Sequence, residues 1–399
     1  MREVVIVSAA RTPMGRYGGQ LKEVRPDDLA AVVLREVVDR IGLDPGEVED
    51  VVFGCANQAG EDNRNVARMG LLLAGFPIEV PGQTVNRLCG SGMQATIAGV
   101  REIQAGGADV LIAGGVESMT RAPWVMAKPD GGFPRGPQTV YDSSLGWRLI
   151  NPKMAELYGT LQMGETAEKV AAKYEVSRED QDEFALRSHQ RAIAAQQAGK
   201  FDSELVPVAI PQRKGEAITV SSDEGPRADS TLESLARLKP VFQADGTVTA
   251  GNASPLNDGA SALVLMEAGE AKRRGLRVLA TFVASASIGV HPSYMGIGPV
   301  PATRKALAKA GLAIGDVDLV EINEAFAAQS VACVRELGLN EEKVNVNGGA
   351  IALGHPLGSS GSRLICSLTY EMNRSGAEVG LATMCIGVGQ GIASIWRRG

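Results

Sequence analysis

Cys89 sits in VNRLCGSGMQA, with glycines and serine on one side too small to cover its thiol and a helix predicted to start there. A helix N-terminus presents unpaired N–H groups and partial positive charge, which lower a thiol pKa and favour the nucleophilic thiolate. A small buried cysteine at a helix cap is the ordinary alternative. The CGSG context, open to close approach by a ligand, points instead to a nucleophile. Three histidines are available to serve it. His189 lies in DEFALRSHQRAIAAQQ, a charged amphipathic helix, and is expected on its solvated face. His291, in GVHPSYMG, is a loop residue beside proline that fits either a structural or a chemical role. His355 lies in NGGAIALGHPLGSSG, among glycines, with a helix starting just after it. A Cys–His pair suffices for nucleophilic catalysis. A second thiol, Cys385, ends an apolar run in MCIGVGQG. Followed by Gly387, Gly389 and Gly391, it suits a further acid/base group in a tight site, against an even expectation of an inert core cysteine. Cys55, Cys333 and Cys366 read as packing.

The elements that must position these residues occur twice. Ser91-Gly92 and Ser360-Gly361 match at an offset of about 269 residues, as do Leu88 and Leu357, Glu102 and Glu371, Gly107-Ala108 and Gly376-Ala377, and Ala113 and Ala382. Upstream the register continues through Gly42-Leu43 with Gly311-Leu312, Gly46 with Gly315, Val48 with Val317 and Val51 with Val320. In the first half VVIVSA is an apolar strand and Asp28 to Ile41 has helical spacing, stopped by Gly42. EDVVFGC is a second strand, NRLCGSG opens a helix ending at Gly106-Gly107, and ADVLIAGG is a buried strand. The second half repeats this order with RVLATFVAS, ATRKALAKAG, VDLVEIN, a GSSG-started helix to Gly376, and EVGLATMCIG. Strands alternating with helices predict parallel sheets covered by helices. By the repeat, His355 is the counterpart of Asn86 and Cys385 of Val116. If the halves pack about a pseudo-dyad, the two helix starts converge and His355 approaches Cys89. Between the halves, roughly Arg121 to Arg277, runs a segment without repeat counterpart, holding KPDGGFPRGP, a strong helix from Ser177 to Gly199, and TVTAGNASPLNDGAS.

The 399 residues are enough for several packed layers, and the hydrophobic (44%) and charged (22%) fractions are those of a globular protein. The net charge of −6 gives no global basic field for nucleic acid or an anionic membrane. Glycine, 48 residues, is well above the usual ~7% and requires many close backbone approaches. Five scattered cysteines without a CxxC pair read as reduced thiols of a cytosolic protein. GVGQG is a weak dinucleotide signal, since too few residues follow it for a helix and a ribose-binding acid. No Walker motif, zinc-type spacing or HExxH occurs, and no metal is expected.

Taken together, NRLCGSG, NEAFA (Asn323 to Ala327), GGAIALGHPLGSSG and MCIGVGQG resemble the motifs of the thiolases, in order and spacing. The resemblance extends over essentially the whole chain, including TAGNASPLNDGA. It implies an α/β fold with a duplicated five-layered α-β-α-β-α core and an inserted loop domain. Residues 1–120 and 245–275 would form the N-terminal half, 121–244 the loop domain for CoA binding and oligomer contacts, and 276–399 the C-terminal half. The same resemblance implies that Cys89 is the acylated nucleophile, activated by His355. Cys385 would be the acid/base at the alpha carbon, and Asn323 would orient a water in an oxyanion hole with His355. The N–H groups of Cys89 and Gly387 would form a second oxyanion hole. It places Ser254 on the pantetheine, Arg227 and Ser234 near the nucleotide, and Met163 and Phe326 in the acyl cavity.

The expected activity is thus reversible CoA-dependent cleavage of a 3-oxoacyl-CoA, or condensation of two acetyl-CoA, with acyl-CoA and CoA as the partners and no cofactor besides CoA as substrate. Gln162 stands where many biosynthetic thiolases have His, and Pro255 where many have Gly, which weakens a strict acetoacetyl-CoA assignment. GCANQAGEDNRNVARM and GWRLINPKM are similar to thiolases that cleave 3-oxoadipyl-CoA. Among Arg64, Arg68 and Arg148, one could meet a distal carboxylate, although surface solvation is the ordinary expectation for each. A decarboxylating ketoacyl synthase normally pairs its cysteine with two histidines or His and Asn, which Cys385 argues against. A silent thiolase-like lipid carrier would not need the full set. The resemblance further implies a cytoplasmic homodimer or homotetramer of fatty acid metabolism.

Overall fold

The computed structural model describes every residue except Asp130. Val4–Arg11 (β1) is buried along its whole length. Val5 and Val7 point into one apolar layer, Val4 and Ile6 into another. A strand covered on both faces needs a continuous apolar run rather than alternation, and VVIV supplies it. With Asp50–Gly54 (β2), Gly82–Val85 (β3), Val110–Ser118 (β4) and Asn257–Glu267 (β5), it pairs in the order β1-β5-β4-β2-β3. The second half uses Ala280–Gly289 (β6), Leu319–Ile322 (β7), Val379–Ile386 (β8) and Gln390–Arg398 (β9), in the order β6-β9-β8-β7. Beyond β7, Val344 makes a parallel bridge to Val320 where the first half has β3. Both halves therefore share one strand order. They join edge to edge where β1 and β6 meet through Val5–Thr281 and Ile6–Ala280.

The helices used below are Pro26–Asp39 (α1), Ser91–Ala105 (α2), Met163–Lys173 (α3), Arg178–Gln197 (α4), Pro299–Ala310 (α5), Ala327–Leu337 (α6) and Leu357–Ser375 (α7). Val33, Leu34 and Val37 of α1 cover the outer face of the first sheet against Val51, Phe53 and Ile112. Val300 and Leu307 of α5, with Cys333 and Val334 of α6, cover the outer face of the second against Val320, Leu381 and Ile395. Between the sheets lie α2 and α7, whose Met93, Ile97, Val100, Leu364, Ile365 and Leu368 share a core with Ile6, Leu263, Met384 and Trp396. The layers run helix, sheet, helix, sheet, helix. A Cβ on Gly92 would stand 2.7 Å from the Gly358 carbonyl oxygen, and one on Gly361 would collide with the Met93 backbone. Only glycine lets the two central helix starts come this close.

One expectation needs correction. The segment 121–277 is not wholly without counterpart: β5 lies inside it and occupies the place that β9 has in the second half. Neither strand emerged from the sequence comparison, because 138 residues separate β4 from β5 whereas three separate β8 from β9. The offset of 269 holds at β2 and β7 and at β4 and β8, and is lost once the excursion begins. The excursion is also fastened into the core. Arg11 of β1, fully buried, bonds Glu204 at 2.6 Å and Asp223 at 2.7 and 2.9 Å. Removing one partner of such a cluster would leave a buried charge uncompensated. No helix among the described residues is long and apolar enough to cross a membrane.

Candidate active site

Four loop segments converge on a cavity of about 330 Å³. The first precedes α2. Asn86 accepts the Leu88 N–H on its Oδ1 (2.9 Å) and donates from Nδ2 to the Ala56 carbonyl (2.9 Å). Ser91 Oγ donates to the Leu88 carbonyl and accepts the Arg87 N–H. These bonds hold Leu88 at φ 46, in the left-handed region, and the following residue is Cys89. Gly90 caps α2, so Cys89 stands just outside the helix with its thiol on the cavity wall. Of the five cysteines it alone is not buried.

The second segment carries His355. Its ring is fixed from behind by Ser360, one turn into α7, with Nδ1 to Oγ at 2.6 Å. Ser360 Oγ donates to the Pro356 carbonyl (2.9 Å), so it accepts from the ring and the proton resides on Nδ1. The Nε2 lone pair then faces the cavity, where Asn323 Nδ2 donates to it at 3.3 Å. Asn257 Oδ1 accepts the His355 N–H (2.9 Å) and fixes the backbone at Gly354, whose φ is 120. The third segment is the NEAFA loop after β7. Glu324, buried, accepts from Ser188 Oγ (2.6 Å), Asn345 Nδ2 (2.7 Å) and the Ile351 N–H (3.1 Å), tying this loop to the one before His355. The Oδ1 of Asn323 is buried and has no hydrogen-bond partner among the described residues. The fourth is the β8–β9 hairpin, Gly387-Val388-Gly389, with Val388 at φ 61. Cys385 lines the cavity from the end of β8 while being 1% exposed.

The electrostatics separate the two thiols. Burial raises the Cys89 thiol above its ordinary value, while the N–H groups of Gly387 and of Cys89 itself point at the sulfur and pull it back. The sequence expectation of a depressed thiol is thus not met: Cys89 lies outside the helix, and desolvation outweighs the N–H groups. Cys385 is driven well above its ordinary value by burial and then by Cys89 and Cys333. It is a thiol, not a thiolate, at neutral pH. Burial lowers His355 to about 3, leaving a neutral imidazole whose unprotonated Nε2 can exchange the Asn323 bond for a proton. The arrangement therefore offers a nucleophilic sulfur, a neutral base, a proton-bearing thiol and two backbone N–H groups aimed at one point.

Of the other predicted residues, Ser254, Met163 and Phe326 line this cavity together with Gln162 and Pro255. Ser254 N–H donates to the Ala325 carbonyl (2.9 Å), laying the excursion along the NEAFA loop. Arg227 lines a second cavity of about 270 Å³ that shares Pro255 and Leu256 with the first. Arg16 also lines it, and neither arginine has a carboxylate ion-pair partner among the described residues. Ser234 does not line it. Its hydroxyl caps the short helix Leu232–Ala236, donating to the Thr231 carbonyl at 2.8 Å. His189 is not on a solvated face. It is buried, accepts the Arg227 N–H on Nδ1 (3.2 Å), and is lowered to about 4 by burial and then by Arg227. The solvated stripe of α4 runs through Glu183, Gln190 and Ala194, while Asp182, Ser188 and His189 are polar residues on its buried side, which the charge-rich sequence hides. His291 caps the turn at Ser293 and lies outside the cavity.

Sequence reasoning missed Glu117. Among the described residues it is the only carboxylate on the cavity wall, and it is buried, receiving N–H groups from Ala56 (2.9 Å), Asn57 (3.1 Å) and Gly358 (2.8 Å). Burial raises it to about 7. The signal was present: one acid at the end of the apolar run VLIAGGVES. With Cys55 and Asp62 it forms a buried group of metal-type donors, but its oxygens already face backbone N–H groups.

The thiolase N-terminal domain family matches residues 4–269 and the thiolase C-terminal domain family residues 276–398. The chain is 58% identical over 395 residues to a beta-ketoadipyl-CoA thiolase of Pseudomonas aeruginosa, covering 98% of each chain. It is 54% identical over the full length of both to a 3-oxoadipyl-CoA/3-oxo-5,6-dehydrosuberyl-CoA thiolase of Escherichia coli. The structure of the Bacillus anthracis acetyl-CoA acetyltransferase superposes with a TM-score of 0.95 at 46% identity, covering 100% of this chain and 99% of that one.

Proposed function

The chain belongs to the thiolase family and is an acyltransferase of that family; from this premise we propose that it cleaves 3-oxoadipyl-CoA or a close dicarboxylic relative with CoA. The observation that carries the chemistry is the meeting of Cys89, His355 and Cys385 at one cavity, with Asn323 bonded to His355 Nε2, each of the four from a different segment. The substrate class is supported by the names of the relatives above.

In our reading His355 Nε2 takes the Cys89 proton and the sulfur adds to the keto carbon, C3. The N–H groups of Cys89 and Gly387 hold the oxyanion formed there. Fixed donors of this kind are worth roughly 3–4 kcal/mol each in other enzymes. When the C3 carbonyl re-forms, the C2–C3 bond breaks and its electron pair becomes the enolate of acetyl-CoA. The thioester oxygen of that enolate meets the imidazolium and a water held by Asn323. Cys385 delivers its proton to C2, and acetyl-CoA leaves. The Cys385 thiolate then deprotonates the incoming CoA, whose sulfur attacks acyl-Cys89 and expels it as thiolate. No resident cofactor is required, since side chains handle every proton and CoA enters as substrate. The arginines of the second cavity, Arg16 and Arg227, suit the CoA phosphates, with Ser254 on the pantetheine.

Exposed apolar side chains on the excursion, among them Trp124, Phe133, Leu145 and Leu157, support a homodimer or homotetramer. Five free cysteines fit a cytoplasmic location. The test is thiolysis by the purified protein: 3-oxoadipyl-CoA and CoA should yield acetyl-CoA and succinyl-CoA. Cleavage of acetoacetyl-CoA alone would remove the dicarboxylic reading, and cleavage of neither would remove the chemistry.

A further inference from the structure

The acyl cavity is lined by a single arginine or lysine, Arg148, among the described residues. We propose that Arg148 is the specificity residue that receives the distal carboxylate of the acyl chain. This rests on the dicarboxylic substrate reading above and adds the group that enforces it. Three features of the guanidinium carry the inference. It is held in place: Nη2 donates to Asn57 Oδ1 at 3.1 Å and Nη1 to the Ser143 carbonyl at 3.3 Å. Both acceptors are neutral, and no carboxylate of the chain pairs with it among the described residues. Of its five N–H donors two are used, leaving three in a planar fork, the arrangement that matches a carboxylate bidentately.

The support is itself fixed. Asn57 Nδ2 donates to Ser143 Oγ at 3.1 Å, and its backbone N–H is held by Glu117. Glu117, the one acid on the wall among the described residues, does not compete for Arg148, because its oxygens are turned to three backbone N–H groups. Trp147 is anchored beside it through Nε1 to the Leu161 carbonyl at 3.0 Å, so the loop presents a rigid aromatic next to a fixed cation. The alternatives offered by the sequence fall away. Arg68 spends its guanidinium on the Val80 and Ile78 carbonyls, and neither it nor Arg64 lines the cavity.

The experiment compares 3-oxoadipyl-CoA with 3-oxohexanoyl-CoA, which has the same chain length and a methyl in place of the carboxylate. The quantity is the ratio of their kcat/KM values in wild type, Arg148→Gln and Arg148→Lys. A hydrogen-bonded charge pair of this kind predicts that Arg148→Gln lowers the ratio roughly 10–100-fold. Arg148→Lys, which keeps the charge and loses the fork, should fall between. A wild-type ratio near one would overturn the dicarboxylic reading and this proposal with it. A high wild-type ratio left unchanged in Arg148→Gln would overturn the assignment to Arg148 and leave the substrate reading standing. If Arg148→Gln loses both substrates through misfolding, Arg148→Lys decides: a lowered ratio upholds the assignment and an unchanged one removes it.

Discussion

The two halves of the molecule share a strand order and differ at one connection. The first half leaves β4 for 138 residues before returning as β5, whereas the second turns from β8 to β9 through Gly387-Val388-Gly389. The long route supplies walls: Trp147, Arg148, Gln162, Met163, Ser254 and Pro255 line the acyl cavity, and Arg227 and His189 the one beside it. The short one supplies chemistry, with Cys385 at its entrance and the Gly387 N–H aimed at Cys89. A tight hairpin can fix an N–H to a fraction of an ångström, and a long excursion can vary its surface without disturbing the sheet. Duplication followed by divergence at one loop thus separates recognition from catalysis.

The largest effect expected is a division of labour between the two cysteines. Cys89→Ala should abolish both acetylation by acetyl-CoA and carbon–carbon cleavage. Cys385→Ala should still accept an acetyl group on Cys89, since that half-reaction breaks no bond to carbon, while cleavage falls roughly 10²–10⁴-fold, the usual contribution of general acid–base catalysis. Mass spectrometry after acetyl-CoA treatment, beside a thiolysis assay, reads both. Acetyl found on Cys385 would reverse the roles. Next in size, Asn323→Ala should cost roughly 10²–10³-fold in kcat, as loss of one oxyanion donor does elsewhere. An equal loss appearing only in KM would assign Asn323 to ground-state binding instead.

Much of this was legible because it is written in local pattern. The small residues after Cys89, the glycines around His355 and the repeated order of strands and helices follow from close backbone approach and from burial on both strand faces. What was hidden depends on distance along the chain. The strands β5 and β9 fell where the repeat offset breaks. The burial of His189 was masked by a helix whose polar residues, Asp182 and Ser188 among them, are buried with partners rather than solvated. The depressed thiol expected of Cys89 failed because desolvation is a property of the assembled cavity wall, which no spacing reveals. Choosing Arg148 over Arg64 and Arg68 likewise required knowing which one faces inward.

The excursion should also leave a mark on stability through His189. Its folded pKa, about 4, lies below its unfolded value near 6.5, so the stability it contributes is present above pH 6.5 and is lost as pH falls toward 4. Arg227 and Arg16 oppose its protonation and Asp229 favours it. Relative to His189→Gln, the wild type should lose about 2 kcal/mol more between pH 7 and pH 5. Urea unfolding of both proteins at the two pH values measures this. Parallel losses would mean that the imidazole stays solvated, and that this part of the excursion packs less tightly than the core it covers.

The smallest effect tests whether the hairpin is strained for its task. Val388 is β-branched and lies at φ 61, where such a side chain costs roughly 1–2 kcal/mol. Glycine would remove that cost, but it also widens the unfolded ensemble by about 0.4–1 kcal/mol. Val388→Gly should therefore raise stability by up to about 1 kcal/mol, read as a higher urea midpoint at an unchanged slope. Catalysis should move the other way: the Gly387 N–H, one residue earlier, loses its rigid neighbour, and the cavity loses the Val388 side chain from its wall. Leu88→Gly on the opposite turn is the matched variant, since Leu88 is likewise left-handed and immediately precedes Cys89. More stable but slower proteins in both cases would mean that each half holds one strained turn against the reacting sulfur. A Val388→Gly protein that is less stable than wild type would show that the hairpin is relaxed as it stands, and that the Gly387 N–H is positioned by the sheet rather than by the turn.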